Sequence, residues 1–327
     1  MPHNRKAEFR RNENLEDLLK ELNGDLSSAE SSLADRYVDK QMEFPLILVM
    51  GGLRSGTTLF MQWLANSGLV AYPTNLLARF YQAPIIGSKI QLMLTDPRFD
   101  YRGELGGILH QAKFESENGK TKGVLEPNEF WYFWRRFLSD ASVDAWSDEE
   151  LADSMDVKTM RAELLGIADV FQSPFAAKGM LFNYNIRFLN SVFEKILFVW
   201  LKRDPATNIA SILNARERQL GNESDWYSFK IPEYSQLKNL DPLDQATGQY
   251  FYNNNALANG IEEVDEGRKL CVQYEDFCAN PGAIFGELTK KIGLPGRTYS
   301  GPSSFEVSRV VTSEFAETVN QKLNDFS

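Results

Sequence analysis

The sequence predicts an α/β fold in three layers, with a central parallel sheet between helices, and three observations carry that expectation. Apolar runs of strand length occur at residues 44–50, 196–201 and 269–274. Each is followed by a turn and then a helical pattern, the alternation that builds a parallel sheet from strand–helix units. The first run is apolar without alternation, as a strand buried on both faces must be.

Residues 1–43 read as a polar N-terminal segment. Asn14 can cap a short helix with Leu15, Leu18, Leu19 and Leu22 on one side, stopped by Gly24. That stripe should pack on the body, and it also offers a homodimer contact. One domain is expected over residues 44–300. It begins with the 44–50 strand, a glycine-rich loop and a helix over 57–67 ending near Gly68. An insertion over about residues 75–170 is mostly helical in pattern and carries a capping box at Ser147 and Glu150. Residues 175–180 are a weaker strand. The 196–201 strand ends in Lys202, Arg203, Asp204 and Pro205, and a helix follows. Residues 218–243, with Trp226, Tyr227, Phe229 and Tyr234, form a stretch too long for a plain connection and read as a lid-like loop. The 269–274 strand leads to a helix over 281–292, and residues 301–327 are a C-terminal extension. In such a sheet, ligands bind at the carboxyl ends of the strands.

Composition narrows the function classes. The chain has 327 residues, 43% hydrophobic and 24% charged, with a formal net charge of −10. That charge argues against nucleic acid as a partner, which requires a basic face. Cys271 and Cys278 make no disulfide framework, and 2 histidines leave little for zinc. No apolar run is long enough to span a membrane, and the N-terminal residues lack a secretory pattern, so a cytoplasmic location is expected.

The sharpest signal is Gly51-Gly52-Leu53-Arg54-Ser55-Gly56-Thr57-Thr58, directly after the first strand and opening a helix. Its spacing is that of a P-loop with Thr57 where the lysine belongs. Backbone N–H groups can still converge on an oxyanion at the helix N-terminus. Hydroxyls of Ser55, Thr57 and Thr58 add donors, and Arg54 supplies a cation. The fold class sharpens to a P-loop NTPase-like three-layer sandwich with helical insertions. Loss of the lysine suits a donor with a single 5′-phosphate. A second anion site is read at Arg203 and Ser211. Asp204 is a good N-cap and Pro205 a good first helical residue, which puts Ser211 about two turns into the helix. Arginine suits phosphate because its planar fork gives bidentate, permanently charged contacts.

The string from Gly52 to Leu59 resembles the 5′-phosphosulfate loop of the sulfotransferase superfamily, in a bacterial-type member. Arg203 and Ser211, eight positions apart, resemble that family's grip on the donor 3′-phosphate. Tyr274, in Gln273-Tyr274-Glu275-Asp276, resembles a strand end near the same group. Lys178 sits where relatives carry a lysine facing the transferring sulfuryl group. The resemblance implies 3′-phosphoadenosine 5′-phosphosulfate as co-substrate, bound by Arg54, Ser55, Gly56, Thr57, Thr58, Leu59, Arg203, Ser211 and Tyr274. It implies in-line transfer to a hydroxyl or amine without a metal, with Arg54 and Lys178 offsetting charge.

The family's general base is missing from its usual places, which hold Met180 and Asn75. Glu126 and Glu129, beside the aromatic run at 130–137, are the candidates to replace it, with His110 third. Arg135 and Arg136 are read either as contacts for an acidic acceptor or as a solvated face. A saccharide or glycolipid precursor is the expected acceptor, with a small metabolite second. A degenerate P-loop kinase or NTPase and a non-catalytic nucleotide-binding scaffold are the alternatives.

Overall fold

The computed structural model describes residues 12–100, 102, 116–117, 120–141, 143–307 and 311–326. In chain order, the first half holds α1 (Glu13–Ala34), β1 (Leu46–Gly51), α2 (Thr57–Asn66), α3 (Pro84–Thr95), β2 (Ser116–Glu117), β3 (Lys120–Thr121) and α4 (Trp131–Arg135). Then come α5 (Asp148–Ser154), α6 (Val157–Phe171), β4 (Phe175–Lys178), α7 (Ile186–Val192), β5 (Ile196–Lys202) and α8 (Pro205–Leu220). The chain ends with α9 (Tyr234–Leu237), α10 (Pro242–Glu262), β6 (Lys269–Gln273), α11 (Tyr274–Ala279), α12 (Pro281–Lys291) and α13 (Ser313–Phe326).

The sheet runs β4-β1-β5-β6, and every neighbouring pair in it is parallel. β1 lies inside it and is buried at every position, which explains its unbroken apolar sequence. Leu46, Leu48 and Met50 face one layer together with Ile196, Phe198 and Trp200 of β5, against Leu257 and Ile261 of α10. Ile47, Val49, Leu197, Val199 and Leu201 face the other, against Phe60, Met61 and Trp63 of α2 and Leu288 of α12. The predicted three-layer α/β fold is the observed one.

Four helices depart from the sequence reading. α1 starts after Asn12, whose side chain caps it, and runs through Gly24 to Ala34. A mid-helix glycine costs about 1 kcal/mol. The distal half of α1 offsets this by its contacts with the body. Asn23 donates to Arg79 O at 2.8 Å, and buried Glu30 accepts from Ile85 N at 2.7 Å and Ile86 N at 3.0 Å. The leucine stripe is only partly a packing surface, since Leu19 is buried but Leu18 is 60% exposed. Within the lid-like 218–243 stretch, α8 persists to Leu220, α9 forms a single turn, and α10 begins at Pro242. α10 has no counterpart among the elements that the sequence predicts. Asp241 caps it, and its buried face carries Gln245, Gln249 and Asn253 beside Ala246 and Leu257. The C-terminal extension folds as α13 and packs Val319 against α8 and α10, in a cluster that includes Leu53 of the glycine-rich loop.

Candidate active site

The loop joining β1 to α2 is shaped by close approach. A Cβ on Gly51 would lie 2.4 Å from Ser55 Oγ, and one on Gly56 would lie 2.2 Å from Tyr274 Cδ2. Gly56 has φ +97°, and Arg54 is itself left-handed at φ 62°. Gly56 is also the N-cap of α2 and offers no side-chain cap. The first-turn N–H groups of Thr57, Thr58 and Leu59 lack intrahelical partners, as at any helix start, and are available to an anion. Ser55 Oγ is buried and without a hydrogen-bond partner, which fits a cradle for an oxyanion.

The second anion site converges on this loop. Asp204 caps α8 by accepting from Thr207 N at 2.8 Å, with Pro205 as first helical residue. Arg54 Nε donates to Ser211 Oγ at 3.2 Å, and Arg203 Nη1 donates to Arg54 O at 2.9 Å. The Arg203 guanidinium lies 4.7 Å above the centroid of the Tyr274 ring. Glu275 accepts from Asp204 N at 3.2 Å, tying α11 to the same turn. Arg54, Ser55, Gly56, Arg203, Ser211 and Tyr274 are therefore brought together from three strand ends.

Lys178, at the end of β4, is 5% exposed and donates to Thr58 Oγ1 at 2.8 Å. Its ammonium also meets Glu129 Oε1 at 3.0 Å. Glu129 keeps 35% of its side-chain surface exposed and accepts a second bond from the Trp131 indole N–H. Burial pushes the Glu129 carboxyl up, but Lys178, the Trp131 N–H and Arg54 outweigh it and hold its pKa below the ordinary value.

The other candidates lie elsewhere. Glu126 is 3% exposed and takes a hydrogen bond from Gln62 Nε2 of α2 at 3.1 Å. Asn75 donates to Gly123 O at 2.8 Å and accepts from Asn128 Nδ2 at 2.8 Å, so it staples the turn that leads to Glu129. Met180 packs its sulfur 3.7 Å from Thr57 Oγ1. Arg135 pairs with Asp144 and Arg136 with Glu163, so both arginines have internal partners instead of a solvated face. His110 lies outside the described residues. Phe130, Phe133, Trp134 and Phe137 are core, as their spacing also allowed.

The opening beside Glu129 and Lys178 is lined further by Trp131, Trp134, Met180 and Leu181 and encloses about 10 Å³. That is room for about one water. Trp131 closes it from one side and meets Phe229, of the segment between α8 and α9, with centroids 6.4 Å apart. Lys230 N donates to Asp144 Oδ2 at 2.7 Å, which fastens that segment to the α4 region. Trp131 was not singled out in the sequence. Its position two residues after Glu129, within the aromatic run, is the signal the sequence offers.

A glycine-rich loop joins a parallel strand to a helix, and an arginine–serine pair stands on the β5–α8 unit beside it. Residues 45–298 match the model of the Sulfotransferase family. The chain belongs to that family. Among solved structures it resembles the sulfotransferase STF1 from Mycobacterium tuberculosis H37Rv, at 16% identity and a TM-score of 0.54, covering 92% of this chain and 76% of that one. It also resembles the sulfotransferase STF9 from Mycobacterium avium, at 14% identity and a TM-score of 0.53, covering 99% and 79%. No curated protein matches the chain.

Proposed function

We propose that the chain moves a sulfuryl group from 3′-phosphoadenosine 5′-phosphosulfate to an acceptor hydroxyl or amine, with Glu129 as general base. The observation that carries this reading is the placement of the Lys178 ammonium, which bridges Thr58 at the donor loop and the Glu129 carboxylate. The loop from Arg54 to Leu59 would take the 5′-phosphosulfate, and Arg203 and Ser211 the 3′-phosphate, with Tyr274 supporting Arg203. Arg54 and Lys178 would offset charge on the sulfuryl oxygens and the departing phosphate.

Glu129 accepts the acceptor's proton as its oxygen or nitrogen attacks sulfur. The sulfur–oxygen bond to the phosphate breaks in line, and adenosine 3′,5′-bisphosphate leaves. The depressed pKa keeps Glu129 ionised and able to take that proton. Glu126, buried against α2, would hold the turn behind Glu129. A saccharide or glycolipid remains the proposed acceptor in a cytoplasmic setting, because aromatic side chains around Trp131 and Phe229 suit the apolar faces of sugar rings. A small metabolite is the second choice.

Transfer of radiolabelled sulfur from the donor to a panel of saccharides, glycolipids and small alcohols tests the proposal. Label should enter one acceptor class and fall by about 10²- to 10⁴-fold in Glu129→Gln, the range for a lost general base. Label transfer unchanged in that variant would remove Glu129 from the role.

A further inference from the structure

A second cleft shares Arg203 with the residues assigned to the donor and is otherwise lined by residues given no role there. It holds about 370 Å³, within the roughly 300–1,000 Å³ of small-molecule sites. Its floor is Trp200 and Lys202 of β5 with Gln273 of β6, and its wall is Tyr250, Asn254 and Asn255 of α10. Trp200 and Lys202 alternate on β5, and Lys202 stands in register with Gln273. They therefore share the α10 face of the sheet. Tyr274, by contrast, packs in the cluster on the α2 face. The cleft is thus behind the donor site, with Arg203 as the donor-site residue in its lining.

The chemistry of the lining is specific. The Lys202 ammonium stands 4.1 Å above the centroid of the Trp200 ring. Among the described residues no carboxylate pairs with it, and the cleft lining has no acid. Around this cation stand three carboxamides. Asn254 spends its Nδ2 on Tyr250 O at 2.9 Å and Gln273 its Nε2 on Glu275 Oε2 at 2.6 Å, so each presents an oxygen acceptor. Asn255 is exposed at the rim and can both donate and accept. Lys202, with Arg203 at the edge, beside aromatic rings and carboxamides matches a polyhydroxyl ring bearing one anionic group. The hydroxyls donate to the carboxamide oxygens, the ring's apolar face lies on an aromatic, and the anion sits on lysine. No carboxylate lines the cleft itself, while Glu275 stands one hydrogen bond behind Gln273 and its charge, with that of Asp204, reaches Tyr250.

We propose that this cleft is a second ligand site, for a sugar carrying a single sulfate or phosphate ester. The site does not rest on the catalytic reading, and it shares Arg203 with the donor site as a common edge. Its α10 wall also reaches the donor loop. Tyr250 Oη donates to Arg203 O at 3.1 Å, and Asn254 Nδ2 stands 3.3 Å from where a Cβ on Gly52 would lie.

Calorimetric titration with glucose 6-sulfate, glucose 6-phosphate and glucose, each with adenosine 3′,5′-bisphosphate at saturation, tests the site. At least one ester should bind with Kd below about 1 mM and glucose more weakly by about tenfold or more. The stronger ester identifies the anion. Lys202→Gln should weaken the ester by about tenfold, as for a lost charged hydrogen bond, and leave glucose unchanged. Asn255→Trp, at an exposed helix position, should fill the mouth and abolish binding while the thermal midpoint stays near that of the parent. Absence of ester binding, binding equal in both variants, or displacement of the ester by adenosine 3′,5′-bisphosphate would overturn the proposal. The bisphosphate's own binding is measured first, so failure of the donor site is seen separately.

Discussion

Replacing Gly56 with alanine should break the donor site through a ring that lies far away in sequence. The added Cβ would stand 2.2 Å from Cδ2 and 2.3 Å from Cε2 of Tyr274, where ordinary contact begins at 3.4 Å. The ring must retreat by more than about 1 Å, an overpacking that costs about 1–3 kcal/mol. The left-handed backbone adds about 1–2 kcal/mol for any residue with a Cβ. A loss of about 2–5 kcal/mol in unfolding free energy follows, read from urea transitions. Because the Arg203 guanidinium rests on that ring, the same shift should weaken adenosine 3′,5′-bisphosphate by about ten- to a hundredfold. A double-mutant cycle with Tyr274→Ala isolates the clash. The two changes should couple favourably by about 1 kcal/mol or more, since removing the ring relieves the overpacking but not the backbone cost. Parent-like stability and affinity in Gly56→Ala, or strict additivity in the cycle, would refute this reasoning.

The other predictions bear on chemistry and on the frame that holds it. Lys178→Met should lower kcat by about 10²- to 10³-fold while changing bisphosphate affinity little, a split seen by comparing turnover with calorimetry. Because the Glu129 pKa is depressed, its basic form is present above the lowered value and is lost only as pH falls through it. The acidic limb of kcat/KM should therefore lie below the ordinary carboxylate range, and Lys178→Met should move it upward. Glu30→Ala should cost about 2–4 kcal/mol in urea unfolding, because two N–H groups at the start of α3 lose their shared acceptor and that helix has no cap of its own. Glu30→Gln, which keeps one oxygen there, should cost less.

The parts legible in the sequence are those fixed by short-range spacing. The strand–loop–helix from residue 46 to 66 and the Asp204–Pro205 helix start announce themselves through local backbone chemistry. What the spacing could not show is which cation meets which group. Ser211 Oγ takes its hydrogen bond from Arg54, and Lys178 finds Glu129 across the sheet edge. α10 escaped because its inward face is built of carboxamides. Gln245 accepts from Arg216 Nη1 at 2.9 Å, and Asn253 accepts from Asn183 Nδ2 at 3.3 Å, so polar residues occupy the inward positions that an apolar period would mark. The length of α1 escaped for a related reason: Asn23 and Glu30 anchor it by hydrogen bonds that the chain makes only once folded. Glu126 and Glu129 sit three residues apart, yet one faces Gln62 and the other Lys178, a difference set by the turn that Asn75 holds.

Calorimetric titration of adenosine 3′,5′-bisphosphate against the parent and Arg203→Ala tests most directly whether this chain binds its donor by two anion grips. Micromolar binding by the parent, weakened by about 2–3 kcal/mol in the variant, is the predicted result for a lost charged partner. No binding by the parent, or equal binding by both proteins, would contradict it.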